Sequence, residues 1–145
     1  MKALVQRVSH AAVSVEGEVV GEIGPGLLAL IGIEREDAAK QIEKMLHKLL
    51  NYRIFADAEG KMNLGLAASG GGLLLVSQFT LVADTTKGLR PGFSRGASPE
   101  HGERIFAQLV EAARTALPQV ATGRFGADMQ VALVNDGPVT FMLES

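Results

Sequence analysis

Short apolar runs separated by glycine-containing turns dominate the start of the chain and predict antiparallel strands. Residues 2–8, 10–15 and 18–23 are rich in valine and alanine, and their apolar and polar positions partly alternate. Residues 27–33, which follow a Gly-Pro-Gly turn, are apolar throughout. A run of this kind is typical of a strand covered on both faces, so we expect it near the centre of a sheet.

Two later segments have the periodicity of amphipathic helices. Between residues 37 and 50, apolar side chains recur every three or four positions, and acidic residues stand where the helix would begin. Ser98, Pro99 and Glu100 form a helix-start sequence, and the stripe behind them predicts a second helix that ends before Pro118. The two stripes consist of Ile42, Met45, Leu46, Leu49 and Leu50, and of Ile105, Phe106, Leu109, Val110 and Ala113.

The remaining pattern predicts further strands and a long loop. Strands are expected near residues 53–55, 73–81, 129–134 and 139–143, with a turn joining the last two. Residues 82–97 lack any periodicity, and we expect them to form an ordered functional loop.

Two main helices among about seven strands indicate an α/β fold, a compact single domain of mixed β-sheets over residues 1–145. Because the strands outnumber the helices that could cover them, we expect one sheet face to be buried by a partner subunit or by another sheet, and a homodimeric protein is the simplest proposal.

Composition excludes several classes of protein. The 145 residues include no cysteine, 5% aromatic residues and a net charge of −2. A disulfide framework, a thiolate zinc site and an aromatic RNA-stacking platform are therefore excluded or disfavoured. No apolar stretch is long enough to span a membrane and no signal peptide is apparent, so we expect no membrane partner and a cytoplasmic location.

Signatures of metal and nucleotide chemistry are also absent. His10, His47 and His101 lie far apart, without the spacing of metal ligands. The chain contains no phosphate-binding loop or dinucleotide fingerprint. We therefore expect no metal site.

Polar side chains interrupt the apolar strand predicted at residues 73–81. On a strand, Ser77 and Phe79 would face one way, and Gln78 and Thr80 the other. The hydroxyl groups either satisfy backbone groups at a strand end or line a site. A hydroxyl nucleophile requires a nearby base, and no histidine, lysine or carboxylate lies within three residues of Ser77 or Thr80.

Two further features have open interpretations. Lys87, Arg90 and Arg95 occur with no acidic residue between them, in either a solvated loop or a rim that contacts phosphates. Gly137-Pro138, after Asn135-Asp136, is either a plain hairpin turn or a cis peptide bond.

Both regions match motifs of a known family. SQFTL at residues 77–81 and NDGPVT at residues 135–140 resemble the paired motifs of the D-aminoacyl-tRNA deacylases. The likeness extends over essentially the whole chain, through VQRV at 5–8, KMNL at 61–64, KGLRPGFS at 87–94 and GRFGADM at 123–129. The chain departs from the family after KMNL, where Gly65, Ala67 and Ala68 replace a frequent serine and acidic residue.

The resemblance implies a homodimer that needs no cofactor and hydrolyses the ester joining a D-amino acid, or glycine, to the terminal ribose of tRNA. It implies that residues Ser77, Gln78, Phe79 and Thr80 form the catalytic segment. It also implies that Gly137-Pro138 is cis and projects into the neighbouring subunit's pocket.

The resemblance also suggests roles for four basic residues. Arg7, in the VQRV segment, is expected to brace the Gly137-Pro138 turn through hydrogen bonds to its carbonyls. Lys87, Arg90 and Arg95 are expected to contact phosphates at the acceptor end of the tRNA.

Stereochemistry constrains how such a site could work. D- and L-esters carry identical groups, so rejection of the L-ester has to be steric, close to Cα, and made by rigid backbone. Glycine has no side chain to clash, so glycyl-tRNA should also be cleaved.

Two mechanisms stay open. The vicinal ribose hydroxyl assists while backbone N–H groups near Phe79 and Thr80 stabilise the oxyanion, or Thr80 is a covalent nucleophile. We favour the first. The competing classes of function are a non-catalytic RNA-binding dimeric scaffold and a generic small-ester hydrolase.

Overall fold

Strand β1, Lys2–Val15, is the central element of the main sheet in the computed structural model, which describes residues 1–145. Strands β2, Glu18–Ile23, and β3, Gly26–Gly32, follow one another antiparallel along one edge of β1. The last strand of the chain, Gln130–Glu144, lies antiparallel along its other edge. Strand β1 is therefore paired on both sides over most of its length.

Parallel pairing extends the sheet beyond β3. A strand at Gly72–Ser77 pairs parallel with β3, and a short strand at Val120–Thr122 pairs parallel with it in turn. Leu27, Leu28 and Ile31 of β3 are all buried. The prediction that residues 27–33 form a central strand is therefore confirmed.

Helices cover one face of this sheet. Helix α1, Ala39–Asn51, and a long helix at Pro99–Ala116 contribute Met45, Leu49 and Leu109 to the larger hydrophobic cluster. A smaller cluster, including Leu28, Leu74 and Val76, lies on the opposite face of the strands, because successive strand residues point to opposite faces. No helix in the structure combines the length and the apolar character needed to cross a membrane.

A small hairpin and a short helix connect α1 to the parallel strands. Strand β4, Phe55–Ala56, pairs with β5, Met62–Leu64, and helix α2, Leu66–Ser69, follows. The prediction placed a strand slightly too early, at residues 53–55, and did not include β5 or α2. In chain order the later elements are β6 (Gly72–Ser77), α3 (Pro99–Ala116), β7 (Val120–Thr122) and β8 (Gln130–Glu144).

Helix α1 begins two residues later than the pattern predicts because Asp37 makes other contacts. The buried carboxylate of Asp37 accepts a hydrogen bond from the α-ammonium group of Met1 at 2.8 Å and one from the Glu34 N–H at 2.7 Å. Asp37 therefore anchors the start of β1 beside α1 instead of opening the helix.

Three predicted strand boundaries were wrong. Strand β1 continues through Ser9, where a break was expected. The strand predicted at residues 73–81 ends at Ser77, and a 3₁₀ turn, Phe79–Val82, replaces its second half. Residues 129–134 and 139–143 belong to the single strand β8 and are not two strands joined by a hairpin turn.

Candidate active site

Residues 77–80, which the resemblance implies to be catalytic and which we call the catalytic segment on that ground, leave the sheet at the end of β6. The Gln78 N–H donates to the Ile31 carbonyl at 2.7 Å, which attaches the segment to β3 before the chain turns. The turn packs over Gly32, where an added Cβ would lie 2.8 Å from Val82 Cγ1. A glycine at the end of β3 therefore makes room for the turn.

The 3₁₀ turn changes which way the side chains point. Phe79 and Thr80 do not alternate as strand residues would, and both are exposed. Leu81 is the first residue whose backbone N–H is hydrogen-bonded within the turn, and it donates to the Gln78 carbonyl at 3.2 Å. The N–H groups of Phe79 and Thr80 precede it, in the position of the unsatisfied amides that begin any helical turn.

The Thr80 hydroxyl has an amide neighbour instead of a base. Gln78 Nε2 donates a hydrogen bond to Thr80 Oγ1. No histidine, lysine or carboxylate forms a hydrogen bond with the side chain of Ser77 or Thr80, although such a group is what activates a hydroxyl nucleophile. The segment therefore offers amide groups to a ligand, but neither of its hydroxyl groups is hydrogen-bonded to a base that could activate it as a nucleophile.

A second aromatic side chain lies beside the catalytic segment. The rings of Phe79 and Phe93 are 5.3 Å apart and tilted by 47°. Phe79 is nonetheless 68% exposed. The pair therefore forms an apolar surface at the junction of the catalytic segment and the long loop.

The long loop is closed at its base by backbone pairing. Asp84 and Gly92 exchange two hydrogen bonds, of 2.7 and 2.9 Å, and Lys87 and Arg90 are exposed on the excursion between them. Hydrogen bonds from the Thr86 side chain and backbone, with the nearby charge of Arg95, lower the pKa of the Asp84 carboxyl below its usual value. Arg95 thus lies near the base of the loop, apart from the other two basic residues.

The Gly137-Pro138 pair projects from the interior of β8. Asn135 pairs with Val8 and Thr140 pairs with Gln6, so residues 136–139 together stand opposite Arg7. We call these four residues the 136–139 bulge. The Gly137-Pro138 peptide bond is cis, as the resemblance implies, and both residues are exposed.

Arg7 contacts the first residue of the bulge. Its Nε donates to the Asp136 carbonyl at 2.9 Å, and its Nη1 donates to the Ile54 carbonyl, also at 2.9 Å. The side chain of Arg7 is only 18% exposed. Arg7 therefore links the bulge to the chain beyond α1, although the carbonyl that it reaches is that of Asp136 and not that of Gly137 or Pro138.

Asn135 is a site residue that the sequence reasoning missed. In the sequence, Asn135 is only the first residue of the NDGPVT motif, and no role for its side chain is predicted. In the structure, its side-chain amide bonds to the backbone of Arg7 and Val139. Asparagine at the start of the motif was the available signal, but its partners depend on the shape of the bulge.

The catalytic segment and the bulge lie apart within one protomer. Gln78 is attached to Ile31, which pairs with Ala3, whereas the bulge stands beside Arg7 on the far edge of β1. The four residue steps along the strand from Ala3 to Arg7 correspond to about 14 Å. The structure thus separates the two segments that the resemblance implies to form one site.

Comparison with known proteins extends this description. A family profile described as D-Tyr-tRNA(Tyr) deacylase matches residues 4–144. The D-aminoacyl-tRNA deacylase of Azotobacter vinelandii is 66% identical over 145 residues, covering 100% of both chains. That of Pseudomonas paraeruginosa is 67% identical over 144 residues, covering 99% of both.

Two solved structures have the same fold. The c-Myc DNA Unwinding Element Binding Protein has a TM-score of 0.96 at 41% identity, covering 100% of this chain and 99% of its own. A probable eukaryotic D-amino acid tRNA deacylase has a TM-score of 0.83 at 18% identity, covering 99% and 98%, and shares the fold.

The fold and the candidate site together define the class of protein. It is an α/β protein with a mixed sheet, in which amide groups lie at the end of β6 and a separate backbone bulge projects from β8. With the profile match over nearly the whole length and these identities, the chain belongs to the D-Tyr-tRNA(Tyr) deacylase family.

Proposed function

We propose that the protein hydrolyses the ester bond of D-aminoacyl-tRNA to free tRNA and a D-amino acid and spares the L-ester. The observation that carries the proposal is the full-length family match, in which both the catalytic segment and the bulge are present. Exposed Lys87, Arg90 and Arg95 are the residues proposed to contact phosphates at the acceptor end of the tRNA.

A homodimer accounts for the separation of the two parts of the site. Within one protomer the bulge is too far along β1 to reach a ligand bound at residues 77–80. A second copy brings an exposed Gly137-Pro138 pair to the catalytic segment of the first. In this arrangement the pocket is completed across the subunit interface.

Chiral selection follows from the position of the bulge. The D- and L-esters differ only in the direction in which the side chain leaves Cα, so a rigid obstacle near Cα excludes one and admits the other. A 10⁴-fold preference corresponds to about 5.5 kcal/mol, which a backbone clash supplies and a lost methylene contact does not. Glycyl-tRNA presents no side chain to this obstacle and is cleaved as well.

The reaction transfers the acyl group to water. The water oxygen bonds to the carbonyl carbon, the bond from that carbon to the ribose oxygen breaks, and the ribose oxygen gains a proton. The vicinal ribose hydroxyl assists the proton movement, and the N–H groups of Phe79 and Thr80 stabilise the negative charge on the carbonyl oxygen. The absence of a base beside Thr80 favours this route over a covalent intermediate.

The first test measures deacylation of D-tyrosyl-, L-tyrosyl- and glycyl-tRNA, with a metal chelator present throughout. We expect loss of the D- and glycyl-esters while the L-ester survives. Survival of all three esters contradicts an enzymatic function and supports an RNA-binding scaffold. Equal loss of the D- and L-esters supports a generic small-ester hydrolase.

A further inference from the structure

The two ends of the 136–139 bulge are attached by different side chains. Residues 136–139 have no ladder partner in β1, so sheet pairing does not determine their position. The Arg7 guanidinium binds the carbonyl of Asp136 at the first end. At the second end, the side chain of Asn135 binds the backbone of Val139.

Both the oxygen and the nitrogen of the Asn135 side-chain amide have hydrogen-bond partners. Its Oδ1 accepts the Val139 N–H at 3.0 Å, and its Nδ2 donates to the Val139 carbonyl at 3.0 Å and to the Arg7 carbonyl at 2.9 Å. Both amide hydrogens are thus used. A flipped amide would place its oxygen against two carbonyl oxygens, so only one orientation satisfies these partners.

These contacts fix the chain on both sides of Gly137-Pro138. Arg7 binds the first end directly through its side chain, and its carbonyl accepts a hydrogen bond from the Asn135 amide that holds Val139 at the second end. Gly137 folds back so closely that an added Cβ would lie 2.3 Å from Val139 N. A movement of Val139 would therefore displace Gly137.

We propose that Asn135 is a positioning residue that sets the discrimination between D- and L-esters by fixing Gly137-Pro138 through Val139. The inference rests on the proposed role of the bulge in rejecting L-esters. It adds a residue that does not touch the substrate and acts only through the backbone of the bulge.

Asn135→Asp tests the inference with almost no change of shape. The substitution keeps an oxygen for the Val139 N–H but turns the other atom into a second oxygen, which faces the carbonyls of Arg7 and Val139. Asn135→Ala removes all three bonds without adding a charge and decides the question if the aspartate variant does not fold. The control is Gln130→Glu, the same amide-to-carboxylate change at an exposed position of β8 outside the bulge.

The readout is the ratio of kcat/KM for D-tyrosyl-tRNA to that for L-tyrosyl-tRNA, with the urea unfolding midpoint of each variant. In Asn135→Asp we expect the ratio to fall at least about tenfold, or ~1.4 kcal/mol. In Asn135→Ala we expect a fall of at least about threefold, the order of one lost hydrogen bond. The Gln130→Glu ratio stays within about twofold of the parent, as is usual for a surface substitution.

A purely structural role for Asn135 would lower the unfolding midpoint and leave the ratio unchanged. If the parent enzyme spares the L-ester and the folded Asn135 variants discriminate equally well, the inference is overturned while the proposed function stands. A parent enzyme that cleaves the L-ester as fast as the D-ester overturns both.

Discussion

At the scale of single residues, the surroundings of Thr80 distinguish between the ribose-assisted route and the route through a covalent Thr80 intermediate. Its hydroxyl oxygen accepts a hydrogen bond from Gln78 and has no basic neighbour. A group in this setting orients a ligand or a water molecule more readily than it attacks a carbonyl carbon. The two routes therefore predict different results when the hydroxyl is removed from the enzyme or from the substrate.

We expect Thr80→Ala to lower kcat by less than about tenfold, because removal of one neutral hydrogen-bonding group costs about 1 kcal/mol. Replacing the vicinal ribose hydroxyl of D-tyrosyl-tRNA with hydrogen should abolish cleavage by the parent enzyme. Single-turnover rates measure both effects. A loss of about 10³-fold in a correctly folded Thr80→Ala variant would establish the covalent route instead.

Gly137 provides a second residue-scale prediction, with an internal control. A methyl group at this position overlaps the Val139 backbone, whereas Gly24 has no atom within 4 Å of an added Cβ. We expect Gly137→Ala to lower the free energy of unfolding by about 1 to 3 kcal/mol and to weaken discrimination against the L-ester. Gly24→Ala should change stability by less than about 0.5 kcal/mol. Urea unfolding of the two variants makes the comparison, and equal midpoints would contradict it.

At the scale of elements, the sequence predicted helices better than the boundaries of strands. The periodicity of apolar residues in a helix reflects burial of one helix face. The pattern at residues 37–50 therefore predicted both ends of α1 to within two residues. Gly137-Pro138 is equally compatible with a hairpin turn and with a bulge. The choice depends on β1, more than 120 residues earlier in the chain, to which both halves of β8 pair.

The sequence predicts residues 77–80 as the catalytic segment and places them on a strand, but beyond Ser77 the structure has a 3₁₀ turn. The apolar run through Leu81 and Val82 resembles a continuous strand, but its burial comes from packing over Gly32 in another element. A contact between distant segments is not visible in local periodicity. The placement of Phe79 and Thr80 on a strand was therefore wrong.

The 84–92 loop carries the prediction on RNA binding. Lys87 and Arg90 are exposed between the paired residues Asp84 and Gly92. Replacing both with alanine should reduce the slope of log affinity against log salt concentration by about 2 for tRNA, because each lost phosphate contact removes about one unit. The matched control is Lys40→Ala with Lys44→Ala on the exposed face of α1, which should leave the slope unchanged. Equal slopes in the two double variants would contradict the proposed phosphate contacts of Lys87 and Arg90.

At the scale of the whole molecule, the separated parts of the site make a mixing experiment decisive. We combine one subunit carrying Gln78→Ala, which impairs the catalytic segment, with one carrying Gly137→Ala, which impairs the bulge. If the pocket is shared between subunits, each mixed dimer contains one site in which both parts are intact. The mixture should then cleave D-tyrosyl-tRNA faster than the Gln78→Ala variant, with a higher ratio of D- to L-tyrosyl-tRNA cleavage than the Gly137→Ala variant. No gain on mixing, in dimers shown to exchange subunits, would place the complete site within one subunit.

The position of the bulge within β8 has a consequence for accuracy in warm cells. Its two ends are attached to β1, a strand that is paired along both edges, instead of lying in a loop between elements. Motion of the ends of the bulge therefore requires the flanking pairs with Val8 and Gln6 to open, and the side chains of Arg7 and Asn135 hold the residues between them. On heating, the enzyme should lose molecules to unfolding before those still folded lose their selectivity. If the proposed function holds, a heat-stressed cell would then contain fewer folded copies of the protein, while the selectivity of each folded copy would be unchanged.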